Sequence, residues 1–302
     1  MTQISNISTL QQSLGLRQIV SRQTAEADQL RQEVASGLKH DVYSHNAPAA
    51  TRSMEVRVHR ATNSAFLQSN QMLQGRLAAM SESMADIVQI GRSFLDLSLS
   101  GAIMEGNRDV YRQQARHTLG QMSTLLNATY GGEFMFSGQT TGTPAVQVVD
   151  APPAPVGVVY TGSAQPVTAR IDDTTVLHYG ITASHEAIRT MLDAIGMAVN
   201  ADVEAMTEEQ FQALRAQVAA QLDSGLQSLT AVQARLGSQQ QILDDRIDRQ
   251  HALETLYTRE VADIEGADVE ETAVRLQSME TQLRATYEVT ARMGRMSLLD
   301  YL

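Results

Sequence analysis

The chain has 302 residues, enough for one to three domains with a real core. Its 23 basic side chains stand against 34 acidic ones, a net charge of −11, which argues against a nucleic-acid partner because nucleic acid needs a basic face. Aromatics make up only 4% with no Trp, a composition closer to long helices than to a compact enzyme, and the absence of Cys excludes disulfides, thiolate metal sites and cysteine nucleophiles.

The stretch Met1 to Leu16 has no basic cluster followed by an apolar block, so a secretory signal is not expected. No run approaches the ~18 apolar residues of a membrane helix, so no membrane insertion is expected either. By itself this points to the cytoplasm and leaves open export without a cleaved signal. Ile4, Ile7, Leu10 and Leu14 recur at steps of three and four, which predicts a helix with a narrow apolar stripe. That helix runs on through Leu30 and Val34 and stops near Gly37, a good left-handed C-cap residue. A loop follows from His40 to Pro48, with Asn46 as candidate N-cap. The next helix, about Ala49 to Leu99, carries Leu73, Leu77, Met80, Met84, Ile87, Gly91 and Phe94 at alternating steps of four and three, the heptad pattern of a bundle seam. Gly101 and Gly106-Asn107 break it. A third helix, about Asp109 to Tyr130, is expected to end at Gly131-Gly132.

From Phe134 to Ala183 the period changes. All the prolines but Pro48 fall between Pro144 and Pro166, and short Val-, Thr- and Tyr-rich runs appear at Phe134–Phe136, Val146–Val149, Val156–Tyr160, Val167–Ile171 and Val176–Tyr179. Gly138, Gly142, Pro152-Pro153, Thr161-Gly162 and Asp172-Asp173 punctuate them, which predicts two or three small hairpins. Helix resumes at about Ser184 to Val199 and at about Thr207 to Ile264. Leu222, Leu229, Leu236 and Leu243 recur every seven residues there, with a register drift near Ile247. At Gly266-Ala267-Asp268 the chain breaks sharply. Gly266 can end one helix, and Asp268 can cap the next with Glu271 at the capping-box position. The last helix carries Leu276, Met279, Leu283 and Tyr287, then Met293, Met296, Leu298 and Leu299.

The expected class is therefore mainly α: a long antiparallel helical bundle or coiled coil built from both chain ends, with a small β-rich insertion in the middle. The expected division is an N-terminal assembly helix (1–40), two halves of a helical rod (41–131 and 184–265), a β-rich tip (132–183) and a C-terminal assembly helix (266–302).

Enzyme chemistry has no foothold in this pattern: there is no Gly-rich phosphate loop, no paired zinc-helix histidines and no nucleophile elbow. His40, Asp41 and His45 read as solvated loop residues rather than metal ligands, and His178 and His185 make a weaker case still. Asp244-Asp245 and Asp248 read as a solvated helix face with Arg246 and Arg249 as local partners. Neither catalysis nor a cofactor is expected. Met80, Met84, Met279, Met293 and Met296 fall on apolar stripes, where methionine fills irregular gaps. A terminal helix with a narrow stripe cannot bury it alone and needs the other terminus or another chain. The candidate interface residues are thus Ile4, Ile7, Leu10, Leu14, Leu276, Met279, Leu283, Tyr287, Met293, Leu298 and Leu299.

In motif order the chain resembles the flagellin superfamily. Leu30 to Gly37 resembles the end of that family's first helix, and Ile264-Glu265-Gly266-Ala267-Asp268-Val269-Glu270-Glu271-Thr272 resembles its C-terminal helix–break–helix. Gly132-Glu133-Phe134-Met135-Phe136-Ser137-Gly138, with Thr140 and Thr143-Pro144, is similar to the start of the β region in the hook–filament junction branch. The end Leu298-Leu299-Asp300-Tyr301-Leu302 is also similar to that branch. The resemblance implies a structural subunit, exported unfolded through the flagellar type III export apparatus with a chaperone on the C-terminal helix. It implies extracellular assembly into a helical array of copies of itself, between a hook-side junction protein and filament flagellin. A short filament flagellin is the rival within the family, and a cytoplasmic coiled-coil scaffold or adaptor the rival outside it. The terminal stretches are expected to be frayed in the single chain. On assembly Ile4, Ile7, Leu10 and Leu14 are expected to pair with Leu276, Met279, Leu283 and Tyr287, each buried Leu or Ile contributing roughly 1.5–3 kcal/mol.

Overall fold

The computed structural model describes the backbone of residues 2–44, 46–100, 107–150 and 155–299, and the side chains of 14–44, 46–100, 107–150 and 155–292. Its helices are α1 (Thr2–Ser36), α2 (Ala47–Leu99), α3 (Arg108–Leu126), α4 (Glu186–Asn200), α5 (Glu208–Glu265) and α6 (Val269–Leu299). Between α3 and α4 lie β1 (Thr129–Tyr130), β2 (Glu133–Phe134), β3 (Val146–Val149), β4 (Gly157–Tyr160), β5 (Val167–Arg170) and β6 (Val176–Tyr179). They pair as three separate antiparallel hairpins, β1 with β2, β3 with β4 and β5 with β6. The class read from the sequence, helical from both ends with a small β insertion, is the one observed. Of the sequence breaks, Gly101, Gly106 and Pro152-Pro153 lie outside the described residues.

The chain forms two compact units, one of residues 1–62 with 252–302 and one of residues 63–251, so that α2 and α5 each contribute to both. The second unit holds most of the core. The heptad Leu73, Leu77, Met80, Met84, Ile87 and Phe94 of α2 is buried as its spacing requires. Tyr111 of α3 stacks on Phe94 at 5.4 Å between ring centroids and meets Phe211 of α5 edge-on at 5.7 Å. Leu222, Leu229, Leu236 and Leu243 of α5 and Met191 and Ile195 of α4 complete the packing.

Side-chain amides tether the hairpins of this unit to its helices. Asn127, at the end of α3, donates to the Val146 carbonyl (2.8 Å) and accepts from the Val146 amide (3.1 Å). Asn200, the last residue of α4, does the same to Val156 at 2.8 and 2.7 Å. Asn70 and Gln250 both donate to the Ile171 carbonyl (2.8 and 3.1 Å), and Gln239 donates to the His178 carbonyl at 2.8 Å while accepting from the Gly180 amide at 3.2 Å. Each amide satisfies a backbone group that a two-stranded ribbon leaves open.

Two local expectations are corrected. The third helix stops at Leu126, and Thr129 and Tyr130 form a strand instead. Gly131 and Gly132, at φ 61° and 85°, make the two-residue loop of a tight hairpin rather than a helix cap. Two consecutive positive φ values are what such a turn demands. The acidic stretch of α5 finds partners other than Arg246 and Arg249: Asp244 accepts from Gln74 at 2.6 Å and Asp245 from Gln241 at 3.0 Å, while Arg246 reaches Asp172 at 2.8 Å.

Candidate assembly site at the chain ends

Within the first unit, the two chain ends meet at a joint of backbone hydrogen bonds. α1 closes at Gly37, whose amide bonds to the Glu33 carbonyl at 2.8 Å in the left-handed conformation foreseen (φ 69°). The chain then pairs across sequence. Leu38 bridges Gly266 in antiparallel fashion, the Lys39 amide donates to the Glu265 carbonyl, and the Ala267 amide donates to the Gly37 carbonyl, both at 2.8 Å. Gly266 is required for closeness rather than for an unusual φ, because an added Cβ would sit 2.4 Å from the Ala262 carbonyl oxygen. Asp268 caps α6 as expected, accepting from the Glu271 amide at 3.0 Å, but the Glu271 carboxylate turns to Arg275.

Under the joint lies a charge cluster that the sequence reading missed. Glu265, at the C-terminal end of α5, has a side chain only 5% exposed. It accepts from Arg57 Nε (2.9 Å) and Nη2 (2.5 Å), from the Tyr43 hydroxyl (2.5 Å) and from Ser53. The Arg57 guanidinium, opposing the effect of burial and aided by Ser53 and Tyr43, holds the Glu265 carboxyl down at about 2. Lys39 Nζ covers the neighbouring α5 carbonyls of Asp263 and Ile264 at 3.4 and 3.2 Å. One signal was available in sequence: a glutamate at the negative end of a helix dipole is unfavourable unless a cation answers it. The His40 amide donates to Glu33 at 2.7 Å, and His45 lies outside the described residues. In the second unit His185 N-caps α4, its Nδ1 accepting from Ala187 at 3.3 Å. Among the described residues no cluster of three or more His, Asp or Glu could hold a metal, and no helix is long and apolar enough to cross a membrane.

From the joint α1 and α6 pack against each other. α1 runs toward the joint and α6 away from it, so the two are antiparallel, and Arg31 of α1 reaches Glu280 of α6 at 2.8 Å. α1 covers Leu16, Val20, Gln23, Ala27, Leu30 and Val34, and α6 covers Thr272, Leu276, Met279, Leu283, Thr286 and Thr290. Both sets alternate steps of four and three, a heptad seam on each helix. Ala27 (0% exposed), Thr272 (7%) and Leu283 (8%) are the best buried.

This arrangement brings together only part of the candidate set. Leu276, Met279 and Leu283 lie on the seam. Leu14 (55% exposed) and Tyr287 (53%) point away from it, because their positions fall off the heptad phase of their own helices. The side chains of Ile4, Ile7, Leu10, Met293, Leu298 and Leu299 lie outside the described residues. The terminal helices also differ from the frayed state expected of a lone chain: each finds in the other a cover for one face, and both are helical. Their other faces remain apolar and open at Leu14, Ile19, Val274, Tyr287 and Val289.

Comparison with known proteins gives a consistent result. A model of the bacterial flagellin N-terminal helical region matches residues 7–141, and one of the bacterial flagellin C-terminal helical region matches residues 219–302. A Vibrio parahaemolyticus protein described as flagellar hook-associated shares the fold with a TM-score of 0.63 at 16% identity, over 73% of this chain and 99% of its own. The flagellar junction protein FlgL of Legionella pneumophila gives 0.52 at 12% identity, over 70% of this chain and 99% of its own. No curated protein matches the sequence.

Proposed function

The chain belongs to the flagellin family, and on that premise we propose that it is a structural subunit of the bacterial flagellum which joins hook to filament by polymerising through α1 and α6. The observation that carries the reading is the imbalance of the first unit. Among the described residues its buried hydrophobics are Ala27, Val42, Val56, Val261 and Leu283. Far more large apolar side chains stay exposed there: Leu14, Ile19, Leu38, Tyr43, Met54, Val58, Leu253, Leu256, Val269, Val274, Tyr287 and Val289. This surplus of exposed over buried apolar side chains supports a surface that a partner covers. Copies of the same chain, stacked by contacts that do not close on themselves, cover it in a helical array.

The choice of junction over filament is supported by the two neighbours that share the fold, one described as hook-associated and one as a junction protein. In this reading Ile4, Ile7, Leu10, Leu14, Leu276, Met279, Leu283, Tyr287, Met293, Leu298 and Leu299 are the assembly residues, and the segments 1–40 and 266–302 the assembly helices. A chaperone holds α6 until the subunit leaves through the type III export apparatus, and the hook-side junction protein and filament flagellin are its neighbours outside the cell. The role is structural rather than catalytic. Electron microscopy of a deletion strain tests it. Hooks that lack filaments, with flagellin released to the medium, are the expected result. Hooks that keep their junction proteins and lack only filament subunits would make the chain a short flagellin. Mass spectrometry of isolated hook–basal bodies provides the second check, since a cytoplasmic scaffold would be missing from them.

A further inference from the structure

A cleft of about 300 Å3 lies wholly within the second unit, between α2 and the hairpins β1–β2 and β5–β6. Its walls follow from the local sequence. Gly75 leaves α2 bare, since an added Cβ would run into the Tyr130 hydroxyl, and so lets that side chain come down onto the helix. Gly131 and Gly132, both at positive φ, turn the chain back toward α2, where Glu133 pairs with Arg76 Nη1 at 2.5 Å. Arg76 Nη2 donates to the Phe134 carbonyl at 3.2 Å. The remaining donor, Nε, is buried without an acceptor, and Arg76 as a whole is only 8% exposed. This N–H has given up water and gained no protein partner, which a buried donor does only at a cost. Three hydroxyls line the same cleft, those of Ser69, Tyr130 and Tyr179, and no described residue hydrogen-bonds any of them. Met72 and the two tyrosine rings supply its apolar wall. A small cleft with an apolar wall and a few convergent polar groups is the form of a small-molecule site.

We propose that this cleft binds a neutral, polyhydroxylated ligand, a single sugar ring, held between the Arg76–Glu133 pair and the hydroxyls of Ser69, Tyr130 and Tyr179. The charges favour a neutral ligand. Arg76 and Glu133 already answer each other, so an ion of either sign would leave one charge over in a partly buried site. The hydrogen-bonding groups favour neighbouring hydroxyls. A hydroxyl both donates and accepts, so two on one ring serve the Arg76 guanidinium and the Glu133 carboxylate together, whereas an amide offers one acceptor and one kind of donor on opposite edges. The tyrosine rings give the C–H face of a sugar a rigid apolar surface beside their own hydroxyls. The ring is either a free sugar or the end residue of a longer saccharide. The site stands independently of polymerisation.

Saturation-transfer NMR on the full-length chain tests the site, with glucose, galactose and mannose as probes beside acetate as a charged control and N-methylacetamide in place of a peptide. At least one sugar should bind with a dissociation constant on the order of 1 mM, and more tightly than either control. Tyr179→Phe removes one hydroxyl and keeps the ring, so it should weaken that sugar about fivefold. Ser69→Ala, at an exposed position, should act in the same direction and repeats the measurement if Tyr179→Phe melts early. Ser228→Ala should change nothing, because that hydroxyl donates within α5 to the Ser224 carbonyl at 3.0 Å. The methyl glycoside of the bound sugar separates the two sources: retained binding marks the end of a longer saccharide, and lost binding a free sugar. No signal from any of the three sugars, tighter binding of acetate or N-methylacetamide, or binding unchanged in both Tyr179→Phe and Ser69→Ala would each overturn the site.

Discussion

At the scale of single residues, Glu265 is the position where charge is most constrained. A carboxylate at a helix C-terminus faces the negative end of the dipole, and burial adds to the cost. Arg57, Ser53 and Tyr43 together reverse that balance and bring its pKa from the ordinary 4.5 to about 2. A pKa depressed in the folded state lends stability that is complete above the unfolded value and is lost as pH falls through the folded one. The window is therefore between about 5 and about 2. Arg57 is half exposed, so solvent screening reduces the gain, and a contribution of about 2 kcal/mol at neutral pH is expected. Glu265→Gln should lower stability by that amount and flatten the acid limb of a urea-denaturation series. Asp172 titrates in the same window. Burial pushes its carboxyl up, but the Thr174 and Thr175 amides and hydroxyls outweigh burial and hold it at about 2. The test is accordingly the difference between Glu265→Gln and Asp172→Asn, and equal acid limbs in Glu265→Gln and wild type would contradict the assignment.

At the scale of elements, two glycines govern how the helices of the second unit approach. A Cβ on Gly225 of α5 would lie 2.5 Å from Met191 Cγ and 3.1 Å from the Ala187 carbonyl oxygen of α4. A Cβ on Gly91 of α2 would meet mainly the far end of the same side chain, Met191 Cε, at 2.4 Å. Alanine usually stabilises a helix interior by about 1 kcal/mol over glycine, so the two substitutions should differ in sign. Gly91→Ala should be neutral or slightly stabilising as the methionine swings aside. Gly225→Ala should cost about 1–3 kcal/mol, because a methylene near the backbone cannot yield as freely. Thermal melting of both variants decides it. On the terminal helices the seam makes a similar distinction. Leu283 is buried against α1, so Leu283→Asp should weaken the single chain by about 3 kcal/mol as well as impair assembly. Leu14→Asp and Tyr287→Asp, both at open positions, should leave the melting temperature unchanged and impair assembly alone. If Leu14→Asp and Tyr287→Asp polymerise normally, the outer faces are not the assembly surface.

At the scale of the whole molecule, the buried core and the surplus of exposed apolar side chains lie in different units. The second unit contains the continuous core of α2, α3, α4 and α5, while the first has few buried hydrophobics and many exposed ones. Removal of residues 1–35 or 268–302 should therefore leave a helical protein by circular dichroism, with the main melting transition retained and polymerisation lost. A truncated chain that still joins the hook would refute assembly through the terminal helices.

Much of this protein was legible in the chain because it is written in local spacing. The heptads of α2 and α5, the stop at Gly37, the break at Gly266 to Asp268 and the hairpins between α3 and α4 depend on residues a few positions apart, and periodicity encodes them. What remained hidden depends on residues distant in sequence. Arg57 and Glu265 meet across 208 positions, and nothing near either one specifies the other. The same holds for Asn200 holding Val156 and for Arg246 choosing Asp172 over its helical neighbours. Sequence alone established helical ends with an apolar surplus. Only the tertiary structure decided which face of α1 and α6 each helix spends on the other, because that choice follows from the register imposed at the joint and leaves Leu14 and Tyr287 exposed.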